Sequence, residues 1–180
     1  MTSGFRKLGE RTIYEGYVIT VADATFAAPD GRTFDRDVVH HPGAVCVVPL
    51  HDDGTVTLVR QFRAPLDGLL LEAPAGKRDV HGEPPEITAQ RELAEEVGLA
   101  AARIELVARF HNSPGFCDEE VFVFLGRDLT EVPSSRDGVE EEAMTIERVA
   151  LADVPSLIAA GELKDAKTII GLLLARERVG

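Results

Sequence analysis

Hydrophobic positions follow two periods along this chain, and the change from one to the other marks out its elements. The first forty or so residues read as β structure. "RTIYEGYVITV" alternates loosely, "PDG" at 29–31 is a turn signal, and "RTFDRDVVHH" resumes an extended segment. Next, "GAVCVVPL" and "TVTLVRQFR" form a strand-turn-strand unit around "HDDG" (51–54), and "LLLEAPAG" (69–76) is a strand running into a glycine-containing loop, "KRDVHGE". Beyond Pro84 and Pro85, which suit a first helical turn, the period becomes four: Ala89, Leu93 and Val97 make one apolar stripe, closed by Gly98. This predicts a helix over 84–97. Then come "RIELVARFH", a loop "NSPGFCDE", the apolar strand "VFVFLGRDL", an acidic loop "SSRDGVEEE", a strand near "AMTIERVAL" and two helices, the last capped by Asp165. Strands before, between and after helices predict a mixed α/β (α+β) sandwich: a small N-terminal β region over 1–41 and a main domain over 42–180.

Composition narrows what such a domain does. A chain of 180 residues with 44% apolar and 28% charged residues is an ordinary globular protein, able to bury roughly 70% of its unfolded surface without staples. Its net charge of −12 argues against nucleic acid as a partner. A phosphate-bearing small molecule would need a local basic pocket or a bridging cation. Two widely separated cysteines, Cys46 and Cys117, and a start without a hydrophobic signal segment fit a cytoplasmic protein. No apolar run approaches the ~20 residues that span a bilayer, so no membrane partner is expected.

The chemistry concentrates in "RELAEEVG" (91–98), where Glu92, Glu95 and Glu96 crowd the end of the helix. Acids there oppose the helix dipole by roughly 0.3–1 kcal/mol each, and the Glu92–Glu96 pair adds about 0.2–0.5 kcal/mol of repulsion. On a helical wheel Glu92 and Glu96 lie about 40° apart beside the apolar stripe, at the junction of core and solvent. A hard divalent cation with oxygen ligands would turn this repulsion into attraction. The plain alternative is a solvated acidic face.

The run "AGKRDVHGEPPEITAQRELAEEVGL" resembles the Nudix box, in which a glycine, a glutamate and an Arg-Glu-aliphatic-any-Glu-Glu-any-Gly-aliphatic helix follow at set spacing. Glu83, Arg91, Glu92, Leu93, Glu95, Glu96, Gly98 and Leu99 fall in place, whereas Gly76 precedes Glu83 by seven positions rather than six. The resemblance implies an α/β/α sandwich with a mixed sheet. It implies Glu92 and Glu96 as principal ligands of Mg2+ (Mn2+ as a substitute), Glu95 assisting, the Ala75 carbonyl as a further ligand, and Glu83 and Arg91 as orienting residues. The reaction implied is hydrolysis of a nucleoside diphosphate linked to a further group.

Pro114 in "NSPGFCDEE", with "VVHHPGAVCVVPL", "VRQFR", "LEAPAG" and "GELKDAKTIIGLL", is similar to the ADP-ribose pyrophosphatase subgroup, over roughly residues 36–175. That likeness implies cleavage of ADP-ribose to AMP and ribose 5-phosphate. A glutamate beyond the box would be the base, from Glu140, Glu141 and Glu142 in "GVEEEAM", with Glu141 preferred; the alternative is a solvated acidic loop. Arg60 and Arg63 are candidate substrate contacts. Arg63 suits a bidentate phosphate clamp, against the alternative of an interstrand ion pair. Glu72 and Glu119 are candidate contacts to ribose hydroxyls or metal. Tyr14, Tyr17 or Phe26 could stack on the base, and the likeness implies a homodimer through the N-terminal strands. The histidines lack a zinc-site spacing. Two other readings stand beside this one: hydrolysis of a GDP- or UDP-sugar, and a nucleotide-sensing module that binds without cleaving. The second is disfavoured because all three box glutamates are present.

Overall fold

The computed structural model describes residues 4–136 and 138–179. The chain divides into two compact units, one of residues 1–43 with 111–120, the other of 44–110 with 121–180.

The first unit is a three-stranded antiparallel meander, β1 (Arg6–Glu15), β2 (Thr20–Ala27) and β3 (Thr33–His40), in the order β1-β2-β3. The segment read as one extended stretch, "RTIYEGYVITV", contains the first hairpin turn, where the Gly16 N–H donates to the Ile19 carbonyl at 2.9 Å. Phe26 stacks on Phe34 with ring centroids 5.7 Å apart, and Phe5 meets Phe34 edge-on. The 111–120 segment joins this unit by strand-like bonds between Val39 and the Phe116–Asp118 turn. Nothing in its loop-like sequence announced that docking.

In the second unit β4 (Ala44–Pro49) pairs in parallel with β9 (Glu120–Glu131) and antiparallel with β7 (Ala75–Lys77), giving the order β7-β4-β9-β8, with β8 spanning Leu99–His111. A second antiparallel sheet has the order β10-β5-β6, with β5 (Thr55–Arg63), β6 (Gly68–Glu72) and β10 (Thr145–Ala150). "LLLEAPAG" is thus two strands in two sheets. Pro74 has no N–H to continue a ladder, and its carbonyl instead accepts from Val47 N–H at 2.8 Å.

Strand alternation builds a three-layer α/β/α core. Val45 and Val47 of β4 pack against α1 (Pro85–Val97) through Ala89, Leu93 and Val97. Their neighbours Cys46 and Val48 face α3 (Val154–Ala159) and α4 (Ala166–Glu177) through Val154, Leu172 and Ala175. β4 is apolar on both faces because both are covered. Burying a side chain such as Leu93 contributes about 1.5–3 kcal/mol.

α1 starts one residue later than expected. Pro84 is the cap in extended conformation (ψ 141°), as a residue before proline tends to be, and Pro85 is the first helical residue. Gly98 closes the helix at φ 65°, ψ 36°, the left-handed region where a side chain is strained. The acidic "GVEEE" contains a single helical turn, α2 (Val139–Glu142), rather than being all loop, and the buried Met144 follows two residues later. Asp165 caps α4 by accepting from Thr168 N–H at 2.9 Å. Among the described residues no helix is long and apolar enough to cross a membrane.

Candidate active site

The C-terminal end of α1 carries the carboxylates beside its apolar stripe. Glu96 is 3% exposed and accepts the Ala75 N–H at 3.0 Å, which fastens β7 to the helix. Glu92 packs on Gly76 so closely that a Cβ there would sit 1.9 Å from its Cδ. The glycine is required as a bare backbone against Glu92, so the extra loop residue leaves its place beside the helix intact.

Burial is the main force on both acids. It pushes Glu96 up to about 8, against the Ala75 hydrogen bond, with Glu92 and Glu141 adding to the rise and Arg63 opposing it. Burial likewise pushes Glu92 to about 7; Arg91 opposes, while Glu95 and Glu141 add. Two carboxylates largely withdrawn from water that repel each other resist ionisation, and a cation between them would remove that resistance.

Arg91 organises the outer side of the cluster. One guanidinium nitrogen lies 2.8 Å from Glu92 and 2.9 Å from Glu95, and the other is 3.5 Å from Glu83 and 3.9 Å from Asp79. Burial opposes its charge, but the surrounding carboxylates outweigh burial and raise its pKa further. The helix terminus is answered from farther along the chain. Arg136 donates to the Glu96 carbonyl at 2.9 Å and to the Met144 carbonyl at 3.0 Å, Ser135 N–H donates to Glu95, and Val132 N–H donates to Gly98. A cation and backbone donors thus meet the negative end of α1. The lone arginine in "SSRDGVEEE" was the only hint in the sequence.

The remaining candidates separate. Of the acidic trio, Glu140 and Glu142 are exposed and Glu141 is half-buried; Glu141 is the one whose charge acts on both Glu92 and Glu96. Arg63 grips Glu72 bidentately at 2.6 and 2.8 Å, and Lys167 contacts the same carboxylate from the other side. Burial alone would raise Glu72, but Arg63 and Lys167 bring it below its ordinary value. Arg60, the other candidate substrate contact on β5, lies on the opposite face of the strand from Arg63. Strand alternation turns it away from Val59 and the α1 side, and it pairs with Glu147 on β10 at 2.6 Å. Glu119 belongs to the first unit, where it accepts from Asn112 at 2.8 Å and lies 3.7 Å from His41. Phe26 is engaged with Phe34, whereas Tyr14 and Tyr17 are exposed. Lys167, which holds Glu72, escaped the sequence reading because a lysine in a first helical turn looks like a surface residue.

The donor set suits a hard divalent cation: carboxylate oxygens, a glycine leaving Glu92 room, and acids whose burial makes a cation welcome. Among the described residues no three His, Cys, Asp or Glu side chains form a ready metal-binding group. Backbone, phosphate and water oxygens would complete the coordination, as magnesium favours.

A three-layer α/β/α domain with a carboxylate helix packed on a glycine strand defines the class. The chain matches the NUDIX domain over residues 39–170. It belongs to the Nudix family and is a hydrolase. It is 39% identical over 163 residues to an ADP-ribose pyrophosphatase of Bacillus subtilis (91% of this chain, 88% of the relative). It is 36% identical over 169 residues to an ADP-ribose pyrophosphatase of Mycobacterium tuberculosis (94% and 82%). A crystal structure of an ADP compounds hydrolase shares the fold with a TM-score of 0.82 at 24% identity, over 97% of this chain and 94% of that one.

Proposed function

We propose that this protein hydrolyses the pyrophosphate bond of ADP-ribose, giving AMP and ribose 5-phosphate, with Mg2+ or, in its place, Mn2+. The observation that carries the reading is the Glu92–Glu96 pair, Glu96 buried and Glu92 largely so, mutually repelling and packed on Gly76 and Ala75. The choice of ADP-ribose among nucleoside diphosphate sugars is supported by the two pyrophosphatase relatives.

Glu92 and Glu96 would hold the metal, with the Ala75 carbonyl beside them and Glu95 assisting. Bound there, a divalent cation neutralises the diphosphate, polarises a phosphoryl oxygen and acidifies water. Glu141, coupled electrostatically to both ligands, takes the proton from the attacking water; such a base typically contributes about 10²–10⁴ in rate. Arg91 and Glu83 keep the ligands oriented. Arg63, 38% exposed at the side chain while Glu72 is 1% exposed, would offer its guanidinium to a phosphate.

We also propose a homodimer and a cytoplasmic setting. All ten residues of β1 are exposed, including Leu8, Ile13 and Tyr14, an apolar surface suited to a second copy. Both cysteines are free thiols. Light scattering after size exclusion tests the dimer.

The functional test is a panel of ADP-ribose, GDP-mannose and UDP-glucose with Mg2+ or Mn2+, monitoring AMP, GMP and UMP. ADP-ribose should be cleaved with the highest kcat/KM, and Glu92→Gln should abolish turnover. Absence of AMP release with either metal refutes the substrate assignment. Binding of ADP-ribose without turnover would instead make the protein a sensing module.

A further inference from the structure

The segment that faces the α1 carboxylates is short, yet it is held at every residue. The Ala75 N–H is taken by Glu96, Gly76 lies under Glu92, and the Pro74 carbonyl accepts from Val47. Besides the β4 ladder and the Arg63 grip on Glu72, further attachments come from the start of α4, on the opposite face of the sheet. The buried Thr168 hydroxyl accepts the Ala73 N–H at 2.8 Å and donates to Asp165 at 2.6 Å. Lys167 contacts Glu72, the residue before the segment, and lies 3.0 Å from Asp165. Glu72 is fully buried and Lys167 is only 12% exposed at its side chain.

Such a cluster is a poor way to gain stability. Taking charges out of water is unfavourable, and apolar replacements of buried ion pairs often leave a protein equally stable. What fully satisfied buried polar groups do supply is fixed geometry. Here the geometry passes through a few backbone bonds from α4 to Ala75 and Gly76.

We infer that Lys167 and Thr168 are positioning residues for the metal-binding site: through Glu72 and Ala73 they fix the Ala73–Gly76 segment against Glu92 and Glu96. Metal affinity thus depends on side chains that never touch the metal. This rests on the reading of Glu92 and Glu96 as metal ligands. The two residues act separately, Thr168 on a backbone N–H and Lys167 on a side chain, so each can be altered alone.

The test compares Thr168→Val, Thr168→Ser, Lys167→Met and Lys167→Arg with the wild type in the full chain. Mn2+ binding is followed by the electron paramagnetic resonance signal of free Mn2+, and deuterium uptake by a peptide spanning the Ala73–Gly76 segment is followed without metal. Thr168→Val and Lys167→Met should weaken Mn2+ binding about tenfold and speed exchange in that peptide, while Thr168→Ser stays within about threefold of wild type. Lys167→Arg should recover part of the Lys167→Met loss. If Lys167→Met does not fold, the Thr168 pair carries the comparison. Wild-type Mn2+ binding with both Thr168→Val and a folded Lys167→Met unchanged overturns the inference alone. No Mn2+ binding by the wild type overturns the proposed function and this inference together.

Discussion

Substituting alanine for Gly76 should separate stability from activity. The added methyl would lie 1.9 Å from Glu92 Cδ and 2.2 and 2.3 Å from its oxygens. Non-bonded carbons are comfortable from about 3.5 Å, so the carboxylate must withdraw by roughly 1.5 Å. Overpacking costs about 1–3 kcal/mol where nothing can move. Here the obstacle is the end of a flexible side chain, so the lower end applies, and a stiffer unfolded chain offsets about 0.4–1 kcal/mol of it. Net destabilisation should therefore stay below about 1 kcal/mol, so Tm should fall by no more than roughly 2–4 °C. Function should respond far more strongly, because misplacing a critical group by about 1 Å can reduce rate 10²-fold. Turnover of ADP-ribose and Mn2+ affinity, set beside thermal melts, supply the assay. A Gly76→Ala enzyme within about threefold of wild-type kcat/KM would show that Glu92 does not need the position it holds against Gly76, and the metal-site reasoning would fail.

Glu96→Gln should abolish Mn2+ binding and alter the pH dependence of stability in EDTA. Glu96 and Glu92 are raised to about 8 and about 7 from an ordinary 4.5. The folded chain therefore keeps protons that the unfolded chain releases, and stability falls as pH rises through that window. The Glu96→Gln variant should show a flatter fall of Tm between about pH 5 and 8, and curves superimposable on the wild type would contradict this. In the first unit, the hydrogen bonds His40 donates to Asp118 and then Glu10 raise it above its ordinary 6.5. Its stabilisation is complete below that value and is lost as pH rises through the raised one, so the 111–120 segment should exchange amide hydrogens faster, relative to intrinsic rates, in mildly alkaline buffer. His40→Gln should remove the dependence, which exchange mass spectrometry checks. Gly171→Ala would bring a Cβ to 2.7 Å from Val48 and 2.9 Å from Val123. Overpacking of about 1–3 kcal/mol, less about 1 kcal/mol of helix propensity, should lower denaturant stability by up to about 2 kcal/mol without altering Mn2+ affinity.

Elements whose causes are local were legible in the chain before any folding was considered. The four-residue stripe Ala89–Leu93–Val97 and the glycine after it specify α1 and its end, and Asp165 specifies the start of α4. The box spacing put Glu92 and Glu96 on one helical edge, because helix geometry converts spacing into direction without reference to the rest of the chain.

Whatever depends on contacts between distant residues was settled by the assembled fold. Pro74 divides an apolar run between two sheets, the part before it pairing with β5 and the part after it with β4. Arg136 meets α1 from forty residues away, and Lys167 reaches Glu72 from the far side of the sheet. Arg60 and Arg63 look equivalent in "VRQFR", yet alternation and the partners Glu147 and Glu72 send them to different surroundings. The carboxylates' resistance to ionisation arises from burial, which no stretch of sequence possesses alone. Periodicity encodes which way a side chain points; only packing sets what it meets and how much water remains around it.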